Sequence, residues 1–191
     1  AREAFMKLKT ILASATAVTG FANAGQVCIS AQRVLVNQAV YGDFVDALTE
    51  KVEAIQPGNP LDESVAMGPM IREGDAVRVN ELIQEAQNEG ARVVVGGSRE
   101  GTLHMPTIVA DVDPKMRISC DELFGPAVAV TPAKDIDEAI HLANDSNYGL
   151  SAGIFTQNID WAMKFVRECE SGNIHVNWGT QWRADLMPYG V

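Results

Sequence analysis

The sequence predicts an α/β fold with three α/β/α layers around a largely parallel sheet. Strand-like and helix-like segments alternate along the chain, which is the pattern of parallel strands joined by helices. Residues 127–130 are apolar throughout, as expected for a strand that is covered on both faces. Domains usually contain about 50 to 250 residues, so we expect the 191 residues of the chain to form a single domain over 1–191.

The first half of the chain contains the clearest helical pattern. Gly90 follows a helix-like segment and is expected just beyond its end. Apolar side chains over 41–55 recur at spacings of three and four, which places them on one helix face: Phe44, Val45, Leu48, Val52 and Ile55. In chain order, the predicted elements are a helix over 4–18, a strand over 33–37, helices over 41–55 and 73–89, and a strand over 91–95.

The second half alternates regularly between strands and helices. Asp135 and the acidic residues after it are typical of an N-cap and a first helical turn. Gly172 is expected to be the C-cap between the last helix and the last strand. In chain order, the predicted elements are a strand over 106–112, a short extended or helical segment over 114–119, a strand over 127–130, a helix over 135–144, a strand over 151–155, a helix over 159–169 and a strand over 173–176.

The charge balance argues against a nucleic-acid partner. The chain has 15 basic and 25 acidic residues, a net charge of −10, and no basic patch, whereas phosphate binding depends on clustered Lys and Arg. No apolar run of about 18 residues or more occurs, so we expect no membrane-spanning helix.

Cysteine and histidine usage indicates a reducing compartment and no metal. The three cysteines are odd in number and far apart, which disfavours a disulfide framework and predicts a cytoplasmic location. No histidine has another possible ligand near it in sequence, so a metal site has no support, and each is expected at the surface or half-buried. These residues are Cys28, Cys120, Cys169, His104, His141 and His175.

Cys28 is the candidate nucleophile. It follows a small and flexible run, 22–26, and precedes an apolar run, so it lies at a turn between a helix and a strand. Gly25 lets the backbone approach a ligand closely, and loops on a rigid scaffold commonly carry chemistry. The alternative is structural, because a free Cys usually behaves as a small buried hydrophobe.

Five motifs share the order found in one enzyme family. The stretch around Cys28 resembles the nucleophile motif of the aldehyde dehydrogenase superfamily, and Glu-Leu-Phe-Gly-Pro at 122–126 is similar to its Glu-x-Phe-Gly-Pro motif. The remaining three resemble its Asn-x-x-x-Tyr-Gly-Leu, Gly-x-x-x-Val-Asn and Pro-Phe-Gly-Gly motifs, and they lie at 143–155, 172–177 and 187–190. The resemblance covers nearly the whole chain and implies the catalytic (substrate) domain of that family.

The resemblance implies a role for each matching residue. Cys28 would be the nucleophile, and Glu122 would bind the nicotinamide ribose hydroxyls. Phe124 would pack near the nicotinamide ring, and Asn177 would help to shape the substrate site behind the thiol. The implied reaction is oxidation of a small-molecule aldehyde to a carboxylate through a Cys thiohemiacetal and a thioester, with NAD or NADP as the hydride acceptor.

Several parts of the family's machinery are expected outside this chain. The general-base Glu, the side-chain Asn of the oxyanion hole and the cofactor-binding domain lie before the nucleophile in the family, and an assembly tail follows the last motif. No G-x-G-x-x-G turn occurs in 1–191. We therefore expect a homo-oligomeric parent enzyme and a nearly inactive isolated chain. Two alternatives remain: a CoA-acylating relative, and a non-catalytic assembly module.

A weaker substrate hypothesis concerns the loop over 178–185. The resemblance places this loop at the substrate entrance, where Arg183 could hold an anionic group through two hydrogen bonds. An Arg183–Asp185 or other structural ion pair is an equally good interpretation. A small polar or anionic aldehyde is the substrate class that the first interpretation predicts.

Overall fold

The computed structural model describes residues 2–182, 185–188 and 190, with side chains from residue 9 onward. The helices are α1 (Arg2–Phe21), α2 (Tyr41–Glu53), α3 (Glu73–Asn88), α4 (Arg117–Cys120), α5 (Ile136–Asn144) and α6 (Ile159–Glu168). The strands are β1 (Arg33–Asn37), β2 (Arg92–Val95), β3 (Arg99–Glu100), β4 (Leu103–His104), β5 (Thr107–Ala110), β6 (Ala127–Ala133), β7 (Ser151–Ile154) and β8 (Asn173–Val176).

The main sheet has four strands in the order β1-β6-β5-β2. Strand β6 is parallel to both of its neighbours, whereas β2 pairs antiparallel with β5 at the edge. Strands β7 and β8 form a separate parallel pair, and β3 and β4 form a short hairpin. The predicted α/β class and largely parallel sheet are confirmed, with an antiparallel edge strand that the local pattern does not indicate.

The core lies against β6 and the helix α2. Six of the seven residues of β6 are buried, as the apolar run predicts. Helix α2 contacts β1, β2 and β5, and α5 contacts β1 and β6. The predicted inward face of α2 is confirmed by the burial of Phe44, Val45, Leu48 and Val52. These buried side chains contribute about 1.5–3 kcal/mol each to folding.

Several element boundaries differ from the predicted ones, and two of these differences involve an identifiable backbone feature. Helix α1 runs through Gly20 to Phe21, and a glycine is required at position 20 because a Cβ there would lie 2.6 Å from a methyl group of Val128 in the sheet. Strand β5 ends at Ala110 because Asp111 has a left-handed φ of 59°.

Two other predictions require correction. Gly172 is not a C-cap, since α6 ends at Glu168 and Cys169 is already extended. Instead, Gly172 has room for no Cβ, because the main chain of Gly190 lies against it. His104 and His175 are buried, with exposed fractions of 1% and 6%, rather than at the surface. Within the described ranges, no helix combines the length and the apolar character needed to cross a membrane.

The topology brings two loops together. Strands β1 and β6 are adjacent and parallel, with Arg33 opposite Ala129. The segments that precede these two strands therefore meet at the same end of the sheet. The segment before β1 contains Cys28, and the segment before β6 contains Glu122. This is the end of the sheet at which the two strands begin, whereas ligands in open α/β sheets usually bind where the strands end.

Candidate active site

The segment before Cys28 has an unusual backbone. Asn23, Ala24 and Gly25 are left-handed in succession, with φ of 51°, 54° and 69°. The Asn23 side chain donates to the Gln26 carbonyl at 3.2 Å, and the Gln26 side-chain amide donates to the Asn23 carbonyl at 3.0 Å. This compact turn ends α1 and leaves Cys28 exposed.

The residues after Cys28 are anchored by two other segments. The Ser30 hydroxyl donates to the Thr19 carbonyl of α1 at 2.9 Å. Thr180 donates from its hydroxyl to the Ile29 carbonyl at 2.7 Å, and the Gln181 amide donates to the Thr19 carbonyl at 2.6 Å. The thiol therefore projects from a loop whose main chain is fixed on both sides.

The two motif segments touch through glycines. A Cβ on Gly25 would collide with the carbonyl group of Gly125. Because Gly25 also has positive φ, it meets both a steric and a conformational requirement that other residues do not. The contact fixes the distance between the Cys28 loop and the turn that carries Glu122.

The main chain around Glu122 is held by side chains from three directions. The Glu122 N–H donates to the Tyr148 hydroxyl at 3.2 Å. Arg78 donates to the carbonyls of Glu122 and Leu123 at 3.3 and 2.8 Å. The Gln32 amide donates to the Asp121 carbonyl at 2.6 Å and accepts from the Leu123 N–H at 2.7 Å. Glu122 itself is exposed, so a rigid turn presents its carboxylate to solvent.

Phe124 presents an aromatic ring beside that carboxylate. Its φ of 44° is left-handed, which is uncommon for a bulky residue. Its side chain is 38% exposed, while Leu123 before it is fully buried. The buried leucine anchors the turn, and the strained phenylalanine is directed outward, as residues at binding sites often are.

These residues line one open cleft of about 250 Å³ that is continuous with solvent. The cleft contains three of the predicted site residues: Cys28, Glu122 and Phe124. It therefore combines a thiol, a carboxylate able to accept hydrogen bonds from a diol, and an exposed aromatic face. The other lining residues are Gly25, Val27, Ser30, Gln32, Gly125 and Ala127.

Of the other predicted site residues, only Asn177 lies in the described part of the chain, and it does not join this group. Asn177 follows β8 with a φ of 56° and does not line the cleft. Its side chain accepts from the Thr156 N–H at 2.8 Å and donates to the Thr156 carbonyl at 3.0 Å, so it holds the end of β7. Arg183 lies outside the described residues, and so does its alternative pairing with Asp185.

Sequence reasoning missed the residues that hold the acidic turn. Gln32 and Arg78 act on the main chain of residues that are distant in sequence. Neither belongs to a local pattern that indicates this role. Tyr148 lies within the Asn-x-x-x-Tyr-Gly-Leu motif, but nothing in the motif shows where its hydroxyl binds.

Comparisons with known proteins find relatives over nearly the whole chain. The model of the aldehyde dehydrogenase family matches residues 8–190. The chain is 48% identical over 178 residues to the 3-sulfolactaldehyde dehydrogenase of Priestia megaterium, which covers 93% of this chain and 37% of that protein. It is 41% identical over 180 residues to the lactaldehyde dehydrogenase of Methanococcus maripaludis, covering 94% of this chain and 38% of that protein.

Solved structures show the same similarity. The NADP complex of the NADP-dependent glyceraldehyde-3-phosphate dehydrogenase from Bacillus halodurans superimposes with a TM-score of 0.91 at 35% identity, over 95% of this chain and 38% of that chain. A lactaldehyde dehydrogenase structure gives a TM-score of 0.88 at 37% identity, over 92% of this chain and 38% of that chain. The chain thus spans less than two-fifths of these relatives' length. With a family match from residue 8 to 190, and a thiol, a carboxylate and an aromatic ring in one cleft, the chain belongs to the aldehyde dehydrogenase family.

Proposed function

We propose that this chain is the catalytic domain of an NAD(P)-dependent aldehyde dehydrogenase that oxidises an aldehyde to a carboxylate. The observation that carries the proposal is the shared cleft of Cys28, Glu122 and Phe124. Two of these residues suit the nicotinamide half of a dinucleotide: an exposed carboxylate for the ribose diol, and an exposed ring for the planar base. When bound, NAD(P)⁺ supplies the acceptor for a hydride.

Cys28 performs the covalent chemistry. Its thiolate attacks the aldehyde carbon, an S–C bond forms, and the carbonyl π electrons move to oxygen to give a thiohemiacetal. Loss of a hydride from that carbon re-forms the carbonyl and leaves a thioester on Cys28. Attack by water then breaks the S–C bond, releases the carboxylic acid and restores the thiol. The anchored loop keeps the sulfur in one position throughout, which favours reaction by orientation.

Replacing the thiol tests the proposal directly. Cys28→Ser in the full-length enzyme is expected to lower kcat by at least about a thousandfold, because the covalent step loses its nucleophile. Cys120→Ser is the matched control: Cys120 is also exposed, and a hydroxyl can replace its bond to the Pro114 carbonyl. Turnover that survives in Cys28→Ser, or that is lost equally in both variants, would contradict the assigned role.

The same assay separates the two alternatives. A CoA-acylating enzyme forms an acyl-CoA when CoA is supplied, whereas the proposed enzyme releases the free acid whether or not CoA is present. An assembly module shows neither product, and its Cys28 reacts with iodoacetamide no faster than Cys120. Product analysis with and without CoA therefore decides between the three functions.

We propose a small polar aldehyde, in particular a 2-hydroxyaldehyde, as substrate. The relatives named for 3-sulfolactaldehyde and lactaldehyde support this class, and Arg183 is proposed to bind an anionic group when the substrate has one. The full-length enzyme is expected to prefer lactaldehyde and 3-sulfolactaldehyde to a long alkanal by about tenfold or more. Arg183→Met should raise KM for the anionic aldehyde while leaving KM for lactaldehyde unchanged. Equal use of the alkanal would contradict the substrate class.

The proposal also covers the role of Asn177, the cellular location and the oligomeric state. Asn177 is proposed to act on the substrate site indirectly, through the loop that it holds at Thr156. The cysteines at 28, 120 and 169 form no disulfide, which supports a reducing compartment such as the cytoplasm. We also propose that the whole enzyme is a homo-oligomer and that its cofactor domain and general base lie in other parts of that enzyme.

A further inference from the structure

We infer that Gln32 is a positioning residue that sets the place of the Glu122 carboxylate relative to the Cys28 thiol. The inference rests on the proposed cofactor role of Glu122. Gln32 lies four positions after the thiol and lines the same cleft. It reaches the acidic turn from the nucleophile's own segment, so a single side chain links the two functional loops.

The geometry of the link is specific. The Gln32 side chain donates to the Asp121 carbonyl at 2.6 Å and accepts from the Leu123 N–H at 2.7 Å. The two bonded groups flank Glu122 on either side along the chain. Meanwhile, the main-chain carbonyl of Gln32 accepts from the Ala129 N–H at 2.8 Å, which fixes Gln32 to β6. The bridge is therefore tied to the sheet at its Gln32 end.

The other supports of this turn do not make the same link. Arg78 reaches it from α3, and Tyr148 reaches it from the loop after α5. They hold the Glu122 main chain, and the hydrogen bonds described for them do not reach the segment that carries the thiol. Gln32 alone among these three belongs to that segment, so its loss is expected to change the relation between thiol and carboxylate rather than only loosen the turn.

The test compares Gln32→Met with a matched control in the full-length enzyme. Methionine keeps the length of the side chain but removes both amide bonds, so we expect KM for NAD(P)⁺ to rise about tenfold or more while KM for the aldehyde changes little. Asn37→Leu is the control. Gln32 directly precedes β1, and Asn37 is the last residue of that strand. The Asn37 side-chain amide likewise donates to a carbonyl, that of Lys134, and its oxygen accepts from the Ala39 N–H. The Asn37→Leu variant should have a lower melting temperature than the wild type but an unchanged KM for the cofactor.

A second variant covers the case in which Gln32→Met does not fold. In Gln32→Glu, the ionised carboxylate accepts from Leu123 but cannot donate to Asp121, whereas the protonated acid makes both bonds as the amide does. The ratio of its KM for NAD(P)⁺ to the wild-type value should fall as pH is lowered from about 7 to about 5, because a carboxyl that faces the Asp121 carbonyl takes up its proton above the ordinary Glu value of about 4.3. A ratio that is near one at every pH would overturn the inference.

Combination with Glu122→Gln separates the inference from the proposed function. If Gln32 acts through Glu122, Gln32→Met adds little to the rise in KM that Glu122→Gln produces alone. Fully multiplicative effects, or a rise in Glu122→Gln with none in Gln32→Met, overturn the role of Gln32 and leave the cofactor role intact. An unchanged KM in Glu122→Gln overturns the cofactor role, and the inference with it.

Discussion

At the scale of single residues, the backbone before Cys28 is held against its local preference. Asn23 and Ala24 are left-handed although both carry a Cβ, and such a conformation costs about 1–3 kcal/mol per residue. The amide bonds between Asn23 and Gln26 and the burial of the Ala24 methyl offset this cost. An alanine has no intrinsic tendency toward this conformation, so only its packing selects it.

His104 is another residue whose environment opposes its usual behaviour. It is 1% exposed, and its Nδ1–H donates to the Met105 carbonyl at 2.9 Å. Its Nε2 atom is buried and has no hydrogen-bond partner in the described part of the chain. Burial, reinforced by the positive charge of Arg99, lowers the pKa of His104 below its ordinary value, and the bond to Met105 opposes this only in part.

The direction of that shift predicts acid sensitivity. The unfolded chain binds a proton on His104 below about pH 6.5, where the folded chain still excludes it. The stabilisation is therefore complete above about pH 6.5 and is lost as pH falls toward the lower folded pKa. His104→Gln is expected to flatten the fall in unfolding free energy between about pH 7 and about pH 5, as measured by urea unfolding. His141→Gln, at an exposed site, should leave the slope unchanged, and equal slopes in all three proteins would contradict the prediction.

At the scale of elements, the contact of Gly25 with Gly125 sets how closely the loops before β1 and β6 approach. Gly25→Ala is expected to destabilise the protein by about 2 kcal/mol or more, because the new methyl group collides with a main-chain carbonyl in a left-handed conformation. Chemical unfolding measures this loss of stability. The rate of the aldehyde oxidation that we propose for Cys28 should also fall, because the cleft is distorted.

Gly90→Ala separates the two causes of that loss. Gly90 has a φ of 109°, but a Cβ there would meet nothing within 4 Å. The variant should therefore show only the cost of the backbone conformation, about 1–2 kcal/mol, with full activity. Equal destabilisation and equal activity in the two variants would show that the glycine contact has no role in the cleft.

At the scale of the whole molecule, the cleft lies at the amino ends of β1 and β6 and is open to solvent. The family relatives are longer, and this chain covers about 37% of the 3-sulfolactaldehyde dehydrogenase. Glu122 and Phe124, which we propose as cofactor contacts, line this open cleft.

The isolated 191-residue chain is therefore expected to show almost no activity. Aldehyde-dependent NADH formation should be undetectable, and the Kd for NAD⁺ measured by calorimetry should exceed about 1 mM, because we propose that most of the cofactor contacts lie in other parts of the whole enzyme. The full-length enzyme, assayed in parallel, is the control. Aldehyde-dependent NADH formation by the chain alone, abolished by Cys28→Ala, would contradict the expectation.

By itself, the sequence predicted most of the helices and strands, although not the β3–β4 hairpin, and it indicated which residues are the candidates for chemistry. The apolar periodicity of α2 and the apolar run of β6 are local properties, so they can be recognised without knowledge of the fold. The ordered motifs identified Cys28, Glu122 and Phe124, because each motif retains its residues in one short stretch.

Only the tertiary structure decided how those segments and residues meet. The antiparallel edge strand β2 and the separate β7–β8 pair depend on pairing between distant segments, which no local period encodes. The burial of His104, the contact of Gly25 with Gly125 and the bridge from Gln32 to the Glu122 turn are likewise non-local. Side chains that bind distant main chain leave no periodic signal, because their partners are chosen by the packing of the sheet.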